Sequence, residues 1–506
     1  MIPDGPDSRF RAAYEAGQGA LVWRDSPADL ETPVGAFLKV AHGQPFSFLL
    51  ESIEGGASRG RYSIIGMAPD LIWRCEGGRA AINAQALTAP DAYVPESEAP
   101  LDSLRALLAR NRLELPPGLP PMAGGLVGYL GYDMVRLMER LPEKNRDAMG
   151  LPEAILIRPT VFVIFDNVKD ILTLAAPAYP REGVSAEAAH EMALARLDAV
   201  EGALMQPLPL PSAAIEPITL AEPQSNMPKA YFLKMVERMK EYIAAGDVFQ
   251  VVPSQRFSVP FPLPPFALYR ALRRINPAPF LFFLDFGGFA VVGSSPEILV
   301  RLRDGLVTIR PLAGTRPRNP DPAEDARLEA ELLADPKERA EHLMLLDLGR
   351  NDVGRVAELG SVKVLESFAI ERFSHVMHIS STVQGRLRPG LTALDALAAG
   401  FPAGTLSGAP KVRAMQIIEE LEPMRRGIYG GCIGYFAPDG TMDTCIGLRT
   451  AVVKDGVIHV QAGGGVVADS VPELEYEESR HKARALFRAA EEAVRFAAAP
   501  KRNRLS

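Results

Sequence analysis

Ile428-Tyr-Gly-Gly-Cys-Ile-Gly-Tyr-Phe-Ala-Pro-Asp-Gly-Thr-Met-Asp-Thr-Cys-Ile-Gly-Leu-Arg-Thr-Ala-Val-Val-Lys-Asp-Gly-Val-Ile-His-Val-Gln-Ala462 carries two Asp-Gly pairs between runs of apolar and β-branched residues. Asp-Gly in that setting is a strong hairpin signal, because both residues tolerate the positive φ of a tight turn. The stretch predicts three successive antiparallel strands, Ile428–Phe436, Met442–Val453 and Val457–Ala462. Arg303-Asp-Gly305 joins Leu299–Leu302 to Val307–Ile309 in the same way.

Working outward, further strand candidates are Phe46–Leu50, Tyr62–Ile65, Leu71–Trp73, Thr160–Asp166, Asp170–Ala175, Val248–Val252, Phe280–Phe286 and Phe289–Val292, with turns at Gly55-Gly56 and Gly77-Gly78. Helices are predicted at Leu101–Asn111, Ser185–Glu201, through Phe232, Val236, Met239 and Ile243, and at Pro322–Ala334, Pro336–Gly349, Lys411–Leu421 and Pro472–Ala498. Hairpins and long helices without alternating βαβ units predict an α+β protein with mostly antiparallel sheets. Gly124–Asp133 is glycine-rich but lacks the G-x-G-x-x-G spacing and a Walker lysine, so it reads as close backbone packing. Pro207, Pro209, Pro211, Pro217 and Pro223 mark an extended connector. They divide the chain into an N-terminal half, 1–180, a helix and connector, 181–226, and a C-terminal half, 227–506, which are expected to form one structural unit.

At 506 residues, 47% hydrophobic and 23% charged, the chain has the composition of a globular protein with material for a large core. A formal charge of −7 gives no electrostatic reason to expect nucleic acid or an anionic membrane as partner. Three scattered cysteines, Cys75, Cys432 and Cys445, make neither a disulfide framework nor a zinc site and read as reduced thiols of a cytoplasmic protein. No signal sequence or apolar run long enough to span a membrane is seen.

The chemistry lies in two acidic pairs. Asp335-Pro336 reads as an N-cap and first helical residue, which puts Glu338 and Glu341 on one face of the helix that follows. Ser470, Pro472 and Glu473 start a second helix, whose Glu475, Glu478 and Lys482 share a face. Either pair alone is also what helix capping and dipole complementation produce. The second pair, however, follows Gly463-Gly-Gly465, whose bare backbone N–H groups suit an anion. Together these residues describe a site for a metal-bound anion, and Mg²⁺ fits best, since it takes one or two carboxylates plus the substrate's own oxygens. Arg449 and Tyr429, on the opening stretch, are candidates to clamp a carboxylate. His378 and Thr405 are further candidates, although a lone histidine of this kind is more often structural and a plain loop explains the threonine as well. These residues point to an Mg²⁺-dependent enzyme acting on a small, multiply anionic substrate, and composition does not name that substrate.

Pro311-Leu-Ala-Gly-Thr-Arg-Pro317, Glu338–Asp352, Phe401–Lys411, Gln461–Val466 and Glu475–Lys482 resemble, in order and spacing, the signature segments of the chorismate-utilising enzymes. Leu49-Leu-Glu-Ser52, Arg61-Tyr-Ser63 and Gly124–Asp133 resemble the N-terminal half of that family's anthranilate synthase component I branch. The resemblance implies a two-sheet, mostly antiparallel sandwich with helices on the outside. By matched position it makes Glu341 and Glu478 ligands of Mg²⁺, with Glu338 and Glu475 beside them. Tyr429, Arg449, Gly463, Gly465 and Lys482, with Gly314 and Thr315 of the first segment, would hold chorismate. Glu297 would protonate the departing C4 hydroxyl, His378 would serve pyruvate elimination, and Thr405 would line the site. Relatives that use their own lysine or activated water as nucleophile carry a lysine where this chain has Ala313 or Gln250, so the implied nucleophile here is ammonia. The implied reaction converts chorismate and ammonia to anthranilate and pyruvate, with ammonia supplied from glutamine by a separate amidotransferase subunit. The resemblance also implies a tryptophan feedback site at Glu51, Ser52, Pro279 and Phe280. Rival expectations are an aminodeoxychorismate or aminodeoxyisochorismate synthase, a generic Mg²⁺ hydrolase, and a non-catalytic tryptophan-binding homologue.

Overall fold

The structure, a computed structural model, describes residues 6–54, 58–120, 122–209, 218–373 and 375–498; the Gly55-Gly56 turn and the connector prolines Pro211 and Pro217 lie outside them. Its spine is a pair of long strands, Ser58–Glu76 and Ala154–Asp166, that run antiparallel from Tyr62 opposite Asp166 to Cys75 opposite Ala154. The register shifts between Pro69 and Leu71, Ala68 adopts φ +50°, and Pro159 lies across from Pro69. Proline cannot donate to a ladder, so the paired strands bend here and each end enters a different sheet.

At the Tyr62 end the first sheet spreads through Ile171–Ala178 and Ala20–Pro27 on one side. On the other it continues through Ser47–Glu54, Phe280–Asp285, Phe289–Ser295, Thr450–Lys454, Val457–Gly463 and Ser254–Pro260. At the Cys75 end the second sheet takes Arg79–Asn83 on one side, and on the other Leu126–Leu130, Cys432–Phe436, Met442–Ile446, Ile298–Arg303, Leu306–Ile309, Val376–Arg386 and Lys363–Arg372. Both halves of the chain therefore contribute to both sheets, and in each their strands meet at one seam, Ser47–Glu54 beside Phe280–Asp285 in the first and Leu126–Leu130 beside Cys432–Phe436 in the second.

Period-two alternation sorts the side chains into layers. Phe48, Ile64, Tyr129, Phe162, Phe282, Ile433 and Val452 fill the space between the sheets. Their neighbours Leu49, Ile65, Val163 and Phe283 face outward, under the helices Pro33–Val40, Ala186–Leu204, Pro265–Ile275 and Pro472–Ala498. Trp73, Leu126, Leu156 and Ile446 do the same for the second sheet under Pro100–Arg110, Pro336–Gly354 and Ala393–Gly400. Each large side chain buried in this way contributes about 1.5–3 kcal/mol relative to exposure. The expected two-sheet sandwich with outer helices is what forms. Among the described residues no helix is long and apolar enough to cross a membrane.

Several elements differ from their sequence expectation. Ile428–Gly431 is a turn, and the strand begins at Cys432. The predicted strand Met442–Val453 is two strands, Met442–Ile446 and Thr450–Lys454, interrupted at Gly447-Leu-Arg449 where Arg449 takes φ +50°. Only Gln250–Val251 of Val248–Val252 is strand, because its partner is the two-residue strand Gly408–Ala409. Gly124–Asp133 contains a fully buried strand, Leu126–Leu130. The strands Ala20–Pro27 and Lys363–Arg372 were not predicted, since neither is bounded by a tight-turn signature.

Candidate active site

The two acidic helix starts meet over the end of strand Val457–Gly463. Asp335 caps the first helix by accepting from the Lys337 and Glu338 N–H groups, so that Glu338 and Glu341 emerge from its first turns. At the second helix, a Cβ placed on Gly464 would lie 3.1 Å from both Glu475 Oε2 and Glu478 Oε1, so the two carboxylates converge on bare backbone. Gly465 has the same role toward Gln250, whose Nε2 would be 2.2 Å from an added Cβ. That nitrogen donates to Glu341 Oε1 at 3.0 Å. Lys482 Nζ lies 2.6 Å from Glu478 Oε1 and donates to the Gly463 carbonyl at 3.0 Å. Glu338 pairs with Arg316 at 3.2 Å.

These groups line one cavity of about 770 Å³, together with Glu297, Gly314, Thr315, His378, Thr405, Tyr429, Arg449, Gly463 and Gly465. Every residue expected in the substrate, metal and catalytic sets is therefore on one wall or another of a single space. Its size suits a small-molecule site. The break at Gly447–Arg449 has a use here: it turns Arg449 out of the ladder, with Nη1 donating to the Lys482 carbonyl at 3.1 Å and no ion pair among the described residues. Burial lowers the pKa of that guanidinium, with Tyr429 and Glu478 opposing the shift. The result is a desolvated cation facing the cavity, suited to a carboxylate.

Glu297 follows Pro296 at the end of strand Phe289–Ser295 and is 7% exposed. Burial raises its carboxyl to about 8, against the opposing hydrogen bond that Thr405 Oγ1 donates to Glu297 Oε1 at 3.0 Å. A carboxyl of that kind is protonated at neutral pH and can act as an acid. His378 Nδ1 lies 2.8 Å from the Gly314 carbonyl and 3.0 Å from Thr315 Oγ1. A carbonyl only accepts, so Nδ1 carries the proton and Nε2 keeps its lone pair. Burial lowers the imidazole to about 4, which keeps it neutral.

The carboxylates show what the site lacks. Burial raises Glu341 and Glu475, and the neighbouring carboxylates Glu338 and Glu478 push the same way. Glu475 Oε2 is buried without a hydrogen-bond partner among the described residues. Among the described residues no three carboxylate, imidazole or thiolate groups converge closely enough to form a closed metal cage. An orphaned buried carboxylate oxygen beside two incompletely neutralised glutamates fits a hard cation completed by substrate oxygens and water, which is how Mg²⁺ is usually held. Lys337 and His481 also line the cavity and were missed; their places next to Glu338 and Lys482 on the two helix starts were the available signal.

The expected tryptophan residues lie elsewhere. Phe280 pairs with Ser52 and Leu281 with Glu51 on neighbouring strands, which brings the two motifs together. Glu51, Ser52, Pro279 and Phe280 line a second cavity of about 880 Å³ between the sheets, which shares Pro296 and Leu312 with the first. Ser52 Oγ donates to the Tyr62 carbonyl at 3.2 Å. The Glu51 carboxylate is engaged on the helix side, accepting from Arg273 Nε and Nη2 at 2.8 and 2.7 Å and from the Tyr269 hydroxyl.

Comparison with known proteins identifies the family. The family described as chorismate binding enzyme matches residues 48–488. The chain is 56% identical to anthranilate synthase component 1 of Cereibacter sphaeroides over 96% of this chain and 98% of that protein. It is 50% identical to the protein of the same name from Thermus thermophilus, over 92% and 96%. The crystal structure of anthranilate synthase component I from Streptococcus pneumoniae superimposes with a TM-score of 0.75 at 36% identity, covering 91% of this chain and 98% of that one. The menaquinone-specific isochorismate synthase of Escherichia coli, at 21% identity and a TM-score of 0.70, shares the fold. A family match spanning most of the chain and close likeness over nearly its whole length place it: the chain belongs to the chorismate-binding enzymes, in the branch formed by anthranilate synthase component 1.

Proposed function

We propose that this chain adds ammonia to C2 of chorismate with loss of the C4 hydroxyl, then eliminates pyruvate to leave anthranilate. The observation that carries this reading is Glu297, a carboxyl held protonated by burial in the same cavity as two lysines, five further glutamates and a guanidinium without an ion pair among the described residues. Arg449 and Lys482, with the Tyr429 hydroxyl and the backbone of Gly463 and Gly465, hold the two substrate carboxylates; Gly314 and Thr315 close the opposite side. Glu297 gives its proton to the departing hydroxyl, which leaves as water as the C2–N bond forms. The new C2 ammonium sheds a proton in turn. Loss of the C2 hydrogen and cleavage of the C3–O bond then release enolpyruvate, which takes up a proton to become pyruvate; His378 Nε2 is the neutral base on this side of the cavity.

Glu341 and Glu478 would hold Mg²⁺, with Glu338 and Glu475 beside them, and the bound ion supplies positive charge against the ring carboxylate as charge develops there. Cys75, Cys432 and Cys445 are all buried, and burial pushes the Cys75 and Cys432 thiols up to about 12. None is a nucleophile for glutamine hydrolysis. This supports a glutamine amidotransferase partner as the source of ammonia, as does the name component 1 carried by the relatives. Tryptophan as a feedback inhibitor would occupy the inter-sheet cavity at Ser52, Pro279 and Phe280, where the Arg273-bound Glu51 contributes its backbone.

The test is anthranilate fluorescence from purified protein given chorismate, Mg²⁺ and an ammonium salt, with and without EDTA. A signal that EDTA abolishes is expected. Chorismate consumed without anthranilate would point to an adduct-forming synthase, and no consumption would overturn the enzymatic reading.

A further inference from the structure

One buried ion pair stands directly behind the candidate site and has no part in the chemistry proposed above. Arg426 and Glu422 are 2% and 3% exposed. Arg426 Nε and Nη2 donate to Glu422 Oε2 and Oε1 at 3.0 and 2.6 Å. The rest of the fork is used on main chain: Nη1 donates to the Leu406 carbonyl and Nη2 to the Val252 carbonyl, both at 2.6 Å. The guanidinium also lies 4.9 Å from the centre of the Tyr132 ring and 5.5 Å from that of Tyr429. Glu422 Oε1 accepts in addition from the Ser254 N–H and hydroxyl at 2.8 Å each, and that hydroxyl accepts from Gln461 Nε2 at 2.8 Å.

Each partner belongs to a separate piece of the cavity wall. Leu406 follows Thr405, which holds Glu297; Val252 follows the short strand carrying Gln250; Tyr429 and Gln461 line the cavity themselves. Apart from Gln461, on the strand Val457–Gly463, none of these segments is an extended element. Gly404–Leu406 is one turn of 3₁₀-helix, Gln250–Val251 a two-residue strand, and Ile428–Gly431 a turn. Local structure therefore does not fix where they sit relative to one another. A planar donor fork does, because it meets acceptors in set directions, which a lysine or an apolar side chain cannot do.

The geometry points to Arg426, held by Glu422, as the positioning residue that sets Thr405, and through it Glu297, against the substrate face formed by Tyr429 and Gln461. This rests on the chorismate reading above. A buried ion pair is weak evidence for stability, and replacing both partners by apolar residues commonly leaves a protein folded. The pair is thus explained better by the arrangement it imposes than by the energy it adds.

The test is a double-mutant cycle in the full chain with ammonium as nitrogen source, using the charge-free pair Arg426→Met/Glu422→Leu, Thr405→Val, and their combination. Expected is a kcat lower by about 100-fold in the charge-free pair, with KM for chorismate raised less than tenfold and melting temperature nearly unchanged. Adding Thr405→Val should lower kcat by no more than about threefold further, because residues acting through one another are not additive. The limb of the pH profile that belongs to Glu297 should move in the charge-free pair as it does in Thr405→Val. Where the charge-free pair does not fold, Arg426→Lys runs the same cycle, keeping the charge and losing the fork. Unchanged kcat per folded molecule, or full additivity with Thr405→Val, would overturn the assignment. Wild-type protein that makes no anthranilate would instead overturn the reading on which it rests.

Discussion

Two large cavities lie back to back with Pro296 and Leu312 in the wall between them, and they treat buried acids differently. In the inter-sheet cavity each acid meets arginine: Asp443 with Arg301 and Arg303 at 2.8 and 3.7 Å, Glu371 with Arg310 at 3.2 Å, and Glu51 with Arg273. In the candidate active site Glu338 and Glu478 pair with Arg316 and Lys482, but Glu341 has only an amide, Glu297 a threonine hydroxyl, and Glu475 Oε2 no hydrogen-bond partner among the described residues. Burial pushes Asp443 and Glu371 in the one, and Glu297, Glu341 and Glu475 in the other, toward the neutral form; the difference is what opposes it. Where guanidinium opposes it, a counter-charge already stands within the protein. Where hydrogen bonds and the Lys482 charge oppose it without a guanidinium, the site keeps an appetite for a proton or a metal ion, and a place of that kind is where chemistry is expected.

The sharpest way to break this contrast is at Glu297. Glu297→Gln should lower kcat by about 1,000-fold, within the range for loss of a general acid, while chorismate binding measured without ammonia stays within about threefold. Retained activity would remove Glu297 from the reaction. Metal dependence comes next. Glu341→Gln or Glu478→Gln should raise the Mg²⁺ concentration needed for half-maximal activity by about 10–100-fold, read by titration after EDTA stripping. No change would mean that the orphaned carboxylates serve something else.

The pH profile sharpens the same point. Glu297 acts in its protonated form, so kcat/KM for chorismate at saturating ammonia should fall as pH rises through about 8, the value to which burial lifts it. Thr405→Val removes a hydrogen bond that favours the ionised form, and should shift that limb to higher pH. A limb that stays in place would separate the threonine from the acid. The smallest catalytic effect is expected from the other cavity. Ser52→Phe should weaken tryptophan inhibition by at least about tenfold and leave kcat and KM for chorismate within about twofold, because a bulky side chain fills the space without touching the acidic site. An inhibition constant unaffected by Ser52→Phe would remove the tryptophan reading.

Much of this was legible before any coordinates. The Asp304-Gly305 and Asp455-Gly456 turns form with positive φ at both residues, as their dipeptides indicated, and Asp335 caps the helix that carries Glu338 and Glu341. Glu475, Glu478 and Lys482 share a helix face because spacing of three and four residues requires it. Arg449 was legible as a candidate but not as a break in its strand; the residues around it read as one continuous run, and only neighbouring strands show the ladder ending at Ile446 and resuming at Thr450. Glu51 was expected to meet a ligand and lines the inter-sheet cavity; that its carboxylate reaches Arg273, a residue 222 positions away, was not legible. Arg426 left no trace in the sequence reading, since its partners Leu406 and Val252 are reached through carbonyls that every residue carries.

By itself the sequence determined the class of fold, the hairpins, the helix starts and the two acidic pairs, because each depends on residues a few positions apart and on the intrinsic geometry of turns and caps. Its likeness to a family supplied the reaction. Tertiary structure alone decided that the two long strands bend at Ala68–Leu71 and feed separate sheets, that the acidic pairs close on one cavity with Arg449 and Glu297, and which buried acids find an arginine and which do not. Those outcomes depend on packing and on pairings between residues hundreds of positions apart, where no local pattern reports the distance.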